Sequence, residues 1–382
     1  MACRLVSTMV CGDNHTLCIT DDGTVCSFGR NERGSHGHEE SMVFPPKVIP
    51  SLTNISSIDC GTIHTICLDY EGNVFTFGGN SYGQLGVGNQ DDPIPFTYIP
   101  QRVDLPPIKQ VACGYNFTIC ISERGSVFSF GDNYYGQLGL GNHEKYQGTQ
   151  LIESLMYIDF AECGDEFTIC KGFDGCVYVW GRNTYGQLGT GDTKIQNKPF
   201  KYDWKDEIVD IKCGYKHVLI LSSNQTVYSC GYNCFGQLGR KTDDTFTTDF
   251  KELSLSEVIR IECGSFYSIC VDMKYDVYLF GDNDFGQLGF GDTHNRRNII
   301  KHPSLSNIID ISKGGNHTFV KTSNNEIYAF GDNQYSQLGI ESKNVESNMD
   351  GKQLTPIQVF QGNENNWCSN ITTKPRAKSA RK

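Results

Sequence analysis

A Cys-Gly-x-x-His/aromatic-Thr segment, followed by Phe/Trp-Gly-x-Asn-x-Tyr/Phe-Gly-Gln-Leu-Gly, recurs seven times in this chain of 382 residues. A repeat of about fifty residues restricts the fold to a closed or stacked array of like units. The first half of the unit begins at Cys11, Cys60, Cys113, Cys163, Cys213, Cys263 and, in degenerate form, Lys313, in steps of 49, 53, 50, 50, 50 and 50 residues. The second half falls at Phe28-Gly29, Phe77-Gly78, Phe130-Gly131, Trp180-Gly181, Cys230-Gly231, Phe280-Gly281 and Phe330-Gly331. Because both halves keep step throughout, residues 1–360 are expected to form one domain, followed by a disordered tail at 361–382.

Each unit reads as a set of short strands. Apolar runs such as Phe117-Thr-Ile-Cys-Ile121 are rich in β-branched and aromatic residues and too short for a helix. Asp22-Gly23, Glu71-Gly72, Arg124-Gly125 and Asp174-Gly175 place glycine where a two-residue hairpin turn needs positive φ. Gln225, Tyr275 and Asn325 stand there in the later units, so longer or more strained turns are expected. Extended segments such as 46–49 and 95–99 supply a fourth strand. Four strands per unit and seven units predict an all-β, seven-bladed β-propeller, whose closure hides most strand edges. The chain opens directly on the strand before Cys11, and an extended segment at Thr355–Phe360 follows the seventh unit. Together they predict a ring closed by one blade that shares N- and C-terminal strands.

Seventeen cysteines suggest a disulfide scaffold at first sight, but the number is odd and five pairs recur at a spacing of seven. That spacing suits neither a Cys-x-x-Cys metal site nor a redox motif; the cysteines read as small core hydrophobes, and neither metal nor cofactor is expected. The N-terminus lacks the pattern of a signal peptide, and no run approaches the roughly eighteen apolar residues of a membrane span. An intracellular monomer, cytoplasmic or nuclear and free of the membrane, is expected. The net charge is −11, but Lys374 to Lys382 holds five basic side chains and no acid, which puts the remainder at −16. A body of that charge argues against direct nucleic-acid binding, while the basic tail suits nuclear import or an acidic partner.

The segments Asn80-Ser-Tyr-Gly-Gln-Leu-Gly86, Asn133-Tyr-Tyr-Gly-Gln-Leu-Gly139, Asn183-Thr-Tyr-Gly-Gln-Leu-Gly189 and Asn283-Asp-Phe-Gly-Gln-Leu-Gly289 resemble repeats of the regulator of chromosome condensation family. The resemblance covers about residues 5 to 360. Kelch and Trp-Asp propellers fit less well, since their signatures do not recur at this period. What the resemblance implies is a seven-bladed propeller whose founding member exchanges guanine nucleotide on the small GTPase Ran, with many relatives serving only as binding modules.

Nucleotide exchange needs no nucleophile or metal; it works by binding the nucleotide-free GTPase better than the loaded one. The chain offers no phosphate-cradling loop, zinc-protease helix or Ser/His/Asp order in a strand-to-helix context. Its candidate recognition residues are instead the two variable positions after each Cys-Gly: Asp13 and Asn14, Thr62 and Ile63, Tyr115 and Asn116, Asp165 and Glu166, Tyr215 and Lys216, Ser265 and Phe266, Gly315 and Asn316. Variable side chains on a rigid repeat suit a binding surface. Asp13, Asn14, Tyr115, Asn116, Asp165, Glu166, Tyr215, Lys216 and Asn316 are the selected partner-binding residues, with Tyr115 and Tyr215 as contact anchors. By resemblance, exchange factors of the family use acidic and histidine side chains from this loop class, and Asp13, Asp165 and Glu166 match the acids. No unit has histidine at the second variable position, and no long insertion marks a β-wedge.

His15, His64, His217 and His317 share a position with Phe117, Phe167 and Tyr267, which identifies them as hydrogen-bonded core residues. Leu85, Leu138, Leu188, Leu238, Leu288 and Leu338 are expected to plug the space between blades. In the first unit Arg33-Gly-Ser-His-Gly37 replaces the usual Tyr-Gly-Gln-Leu-Gly and reads as a worn repeat. Two functions stay open: exchange regulation of a Ran-like or Rho-like GTPase, and a non-catalytic protein scaffold. A light sensor would need clustered tryptophans, and only Trp180, Trp204 and Trp367 are present.

Overall fold

The computed structural model describes residues 6–88, 94–202, 204–242, 244–341 and 351–360; the basic tail and Trp367 lie outside them. All regular structure among the described residues is strand. Blade 1 comprises β1 (Val6–Cys11), β2 (His15–Thr20), β3 (Val25–Arg30) and β4 (Met42–Val48). Blade 2 comprises β5 (Ile55–Cys60), β6 (His64–Asp69), β7 (Val74–Gly79) and β8 (Phe96–Arg102). Blade 3 comprises β9 (Ile108–Cys113), β10 (Phe117–Ser122), β11 (Val127–Gly131) and β12 (Tyr146–Leu151). Blade 4 comprises β13 (Ile158–Cys163), β14 (Phe167–Gly172), β15 (Val177–Gly181) and β16 (Gln196–Tyr202). Blade 5 comprises β17 (Ile208–Cys213), β18 (His217–Ser222), β19 (Val227–Tyr232) and β20 (Phe246–Glu252). Blade 6 comprises β21 (Val258–Cys263), β22 (Tyr267–Asp272), β23 (Asp276–Gly281) and β24 (Arg296–Ser306). Blade 7 comprises β25 (Ile308–Lys313), β26 (His317–Thr322), β27 (Ile327–Asp332) and β28 (Lys352–Phe360).

Within each blade the four strands pair antiparallel in chain order. This corrects the expected closure: β1 and β28 lie in different sheets, and no blade shares strands from the two ends. Both the outermost strand of one blade and the innermost strand of the next fall between Gln-Leu-Gly and the following Cys-Gly. The extended segment at 46–49 therefore belongs with the unit before it, as β4 paired to β3, and blade 1 lacks nothing.

The core lies between blades rather than within them. Seven buried apolar clusters each join two successive blades, and one of them, with Met9, Cys11, Phe28, Phe319 and Leu338, joins blade 7 to blade 1. The ring is thus sealed by ordinary packing. Leu138, Leu188, Leu288 and Leu338 stand in these clusters, and Leu85 and Leu238 are likewise fully buried. In blade 1, His36 fills the leucine position, buried and with no hydrogen-bond partner on either ring nitrogen. Fifteen described cysteines are free thiols and twelve of these are buried, which bears out their reading as core filler.

A hydrogen-bond chain across five of the seven seams explains much of the repeated spelling. The threonine or serine after the His/aromatic position donates to the carbonyl of the preceding blade's glutamine: Thr118 to Gln84 at 2.8 Å, Thr168 to Gln137 at 3.1 Å, Ser268 to Gln237 at 2.8 Å and Thr318 to Gln287 at 2.9 Å. At the closing seam Thr16 donates to Gln337 at 2.9 Å. The same hydroxyl, its proton committed, accepts from the preceding blade's ring: His64 on Thr118 at 3.1 Å, His217 on Ser268 at 3.0 Å and His317 on Thr16 at 3.1 Å. These imidazoles are neutral, with burial pulling each down to about 3. Asparagine and glutamine shape the loop itself. Each Asn side-chain oxygen accepts from the leucine N–H at 2.9–3.0 Å, and each Gln side-chain oxygen accepts from the N–H two residues back at 2.8–3.1 Å.

The hairpins between second and third strands are three-residue loops rather than the expected two. Ser122 N–H bonds Ser126 O at 2.9 Å and Gly125 N–H bonds Ser122 O at 2.8 Å, a turn followed by a left-handed residue. Gln225, Tyr275 and Asn325 adopt the same left-handed conformation, with φ of 67°, 60° and 62°. Those turns carry strain but are no longer than the others.

If the closing seam packs like the internal ones, Leu338→Ala and Leu188→Ala should each cost about 2–5 kcal/mol in urea unfolding; a negligible cost at Leu338 alone would show an unsealed ring. A second expectation concerns acid. His217 has its folded pKa at about 3 against an ordinary 6.5, so the native state binds fewer protons than the unfolded chain between those values. Its contribution is full above pH 6.5 and lost as pH falls. Relative to His217→Phe, a residue the repeat tolerates there, the natural protein should lose about 1.4 kcal/mol per pH unit across pH 6 to 4. A stability difference independent of pH in paired urea titrations would contradict the neutral buried ring.

Candidate functional site

The turns between first and second strands gather at one mouth of the central channel, where the Gly-x of every turn, with the preceding cysteine or Lys313 in all but blade 6, lines a depression. Glycine is required here because the aromatic three residues on lies against it. A Cβ on Gly114 would stand 1.8 Å from the Phe117 ring, and one on Gly264 would stand 1.8 Å from Tyr267. Successive turns also bond one another through the backbone: Tyr115 N–H to Asp165 O at 2.9 Å, Asp165 N–H to Tyr215 O at 3.2 Å, and Tyr215 N–H to Ser265 O at 3.0 Å. The first variable residues of blades 3 to 6 are thereby set on a rigid rim.

Asp13, Tyr115, Asp165 and Tyr215 meet at this mouth. The Tyr215 hydroxyl donates to the Asp13 carboxylate, although the two residues are 202 apart in sequence and belong to blades 5 and 1. Tyr215 therefore spans the mouth and is engaged inside the protein, rather than standing free as an anchor. Burial raises the Asp13 carboxyl, and burial followed by Asp13 raises the Tyr215 hydroxyl. Tyr115 is the exposed tyrosine, at 42%. Its hydroxyl is raised by burial and then by the acids around it, Asp13, Asp165, Glu166 and Glu32. Asp165 is pushed up to about 7, first by burial and then by the like charge of Glu166, with Lys216 opposing.

The remaining selected residues separate into two groups. Glu166 is ion-paired to Arg182 at 2.5 Å, and that guanidinium lies 4.6 Å over the Tyr135 ring. Lys216 sits over Tyr185 and Phe266 at 5.5 and 5.9 Å. Asn116 is a correction: it is buried and its side-chain oxygen accepts from Gln84 at 3.1 Å, so it supports the rim instead of facing a partner. Asn14 and Asn316 are half-buried, and their carbonyls bind Arg30 and Asp332 N–H at 2.9 and 2.8 Å.

Sequence reading missed two features. Charged residues stand immediately before the cysteine on four innermost strands, as Asp59, Glu162, Lys212 and Glu262, and Lys313 replaces the seventh cysteine. Lys212 bonds Glu162 at 3.0 Å and stands 3.6 Å from Asp210. Burial opposes the charge on Lys313, but Glu262, Glu162 and Asp59 more than offset it and raise the amine. Charge within an otherwise apolar strand was the signal for this network. The second feature is aromatic: Tyr185, Tyr232, Phe235 and Phe266 adjoin on the mouth face. Among the described residues no group of His, Cys, Asp and Glu is arranged to hold a metal, and no helix is long and apolar enough to cross a membrane.

Comparison with known proteins agrees with this architecture. The pattern of the RCC1-like domain matches residues 149–376, and that of the regulator of chromosome condensation (RCC1) repeat matches 71–121 and 124–170. The chain is 45% identical over 161 residues to the probable E3 ubiquitin-protein ligase HERC4 of Mus musculus, covering 42% of this chain and 15% of that protein. It is 34% identical over 148 residues to protein RCC2 of Homo sapiens, covering 37% and 28%. These matches span less than a third of either relative's length. Among solved structures, human WBSCR16 superposes with a TM-score of 0.73 at 23% identity, covering 85% of this chain and 88% of that one. Yeast RCC1 (Prp20), in its complex with Kap60, gives 0.78 at 19% identity, covering 94% and 85%. Identities this low speak to the fold alone.

An Asp165 carboxyl that titrates near pH 7 can be observed directly by carbon NMR of labelled protein. Glu166→Gln, which removes the adjacent like charge, should lower that midpoint; a midpoint near the ordinary 3.8 in the natural protein would contradict the crowded acidic mouth.

Proposed function

The chain belongs to the RCC1-like domain family, and from that premise we propose that it is a protein-binding propeller whose channel mouth docks a small GTPase and promotes release of its guanine nucleotide. The observation that carries this reading is the convergence of Asp13, Tyr115 and Asp165 from separate blades on one hydrogen-bonded rim. Such a rim presents prepositioned carboxyl groups and an exposed tyrosine without reorganisation on binding, which lowers the cost of docking. The yeast family member Prp20p was solved together with a study of its binding to Gsp1p and histones, and another structure shows it with Kap60. Those partners support a protein-binding role for this chain by family likeness. Exchange requires only that the nucleotide-free GTPase be bound better than the loaded one, so no catalytic side chain is needed.

A non-catalytic scaffold is the second reading. It is favoured by the engagement of two of the three acids inside the protein, Asp13 with Tyr215 and Glu166 with Arg182. Release of a fluorescent guanine nucleotide from Ran-, Rho- and Rab-type GTPases separates the two. Acceleration is expected for at least one of them, weakened about tenfold or more by Asp165→Ala with an unchanged melting temperature. If none of the GTPases responds, exchange is excluded and the scaffold reading stands.

A further inference from the structure

Six aromatic rings run in unbroken contact over the mouth face of blades 4 to 6. Tyr215 packs against Phe266 with centroids 5.5 Å apart, and Phe266 against Phe235 at 5.4 Å and Tyr232 at 5.9 Å. Tyr232 continues to Tyr185 at 4.8 Å, and Tyr185 to Phe246 at 6.4 Å. All six are partly accessible to solvent, Phe246 to 38%. The fold does not demand rings here. The positions of Tyr232 and Phe266 are filled by Arg30 and Asn14 in blade 1, Asp132 and Asn116 in blade 3, and Asp332 and Asn316 in blade 7. Contiguous accessible rings that the repeat can do without mark a contact surface.

The track starts at Tyr215, whose hydroxyl holds Asp13, so its inner end opens on the acids that surround Tyr115. Long-range charge points the same way, since the chain outside the tail carries −16 and draws in a cationic segment. We propose that mouth and track together hold one linear segment of a partner protein, which sets an arginine or lysine among Asp13, Asp165 and Tyr115 and a large apolar side chain on Phe266, Phe235 and Tyr232. The inference rests on the reading that this face binds protein. The two ring-to-ring steps from Tyr215 to Phe235 add up to about 11 Å, which an extended segment at about 3.3 Å per residue covers in about three residues. As a summed path it is an upper bound on the separation of those rings, so cation and apolar side chain are expected within about three residues of each other. The basic tail of this chain, Lys374 to Lys382, has the cations but no large apolar side chain, and does not fit.

Selection of random phage-displayed dodecapeptides on the full chain tests the idea, followed by fluorescence anisotropy of the labelled synthetic winners. Enriched peptides should pair Arg or Lys with Leu, Phe or Trp within that spacing. They should bind about tenfold or more weakly to Phe266→Ser and to Asp165→Asn, and unchanged to Phe173→Ser, which alters an exposed ring on the opposite face. A peptide of residues 374–382 should bind no better than a scrambled control. Tyr232→Arg, which installs the side chain blade 1 already carries there, repeats the test should Phe266→Ser melt early. Recovery of no peptide, of acidic peptides, or of peptides indifferent to both track variants overturns the proposal. Peptide selection without nucleotide release would leave this inference standing and remove the GTPase reading; release without selected peptides would do the reverse.

Discussion

A hydroxyl donated to a glutamine carbonyl in the preceding blade, present at five of the seven seams, is the contact on which the ring depends. A propeller blade cannot bury both faces of its own sheet, so its stability comes from neighbours, and apolar packing alone does not fix their register. The buried hydroxyl does, because leaving it or the carbonyl unpaired costs about 1–3 kcal/mol. Where the sequence departs, the bond is conserved in kind. Thr65 donates to Ser35 O at 2.7 Å in the worn first unit, and the Cys230 thiol points to Gln187 O at 3.5 Å where Val218 replaces threonine. The closing seam has the same parts, Thr16 on Gln337 with His317 behind it, so the ring needs no shared strand to close.

That rigidity leaves the mouth free to vary. Each turn is fixed by a glycine under an aromatic ring, and the turns of blades 3 to 6 are also joined by backbone bonds, so some of the variable residues, Tyr115 among them, are left out of the packing. The turns then carry Asp13, Tyr115 and Asp165 at the mouth, with Lys216 over Tyr185 and Phe266, and function lies in what those side chains present together. The charges beneath the mouth act on it as well. Lys313 and Lys212 offset part of the charge of Glu162, Glu262 and Asp59 on the innermost strands, which keeps carboxylates tolerable in a buried ring.

Several parts of this structure were legible in single residues. The cysteine spacing of seven, the exchange of histidine with phenylalanine, and the leucine plugs each have one physical explanation, core packing, and the structure places them there. The hairpin positions of Gln225, Tyr275 and Asn325 were legible as strained because the repeat names glycine at that point. Other parts were not. The phase of the blade was misread because two extended segments lie between successive motifs, and only hydrogen-bond pairing assigns the first to the unit before it. Asn116 looked like a recognition residue beside Tyr115, yet the neighbouring blade's Gln84 turns it inward. Phe266 stood in plain view as a variable residue, but one ring in a turn has no meaning until Phe235, Tyr232 and Tyr215 are known to touch it.

Period and spelling by themselves determined the number of blades, the strand content and the buried residues, because local turn chemistry and apolar pattern repeat in every unit and must be satisfied in each. The tertiary structure alone decided which ends pair, that Tyr215 reaches Asp13 across the mouth, and which variable residues share a surface. Those relations join residues as many as 321 positions apart. They follow from how seven wedges close into a circle, which no single unit encodes.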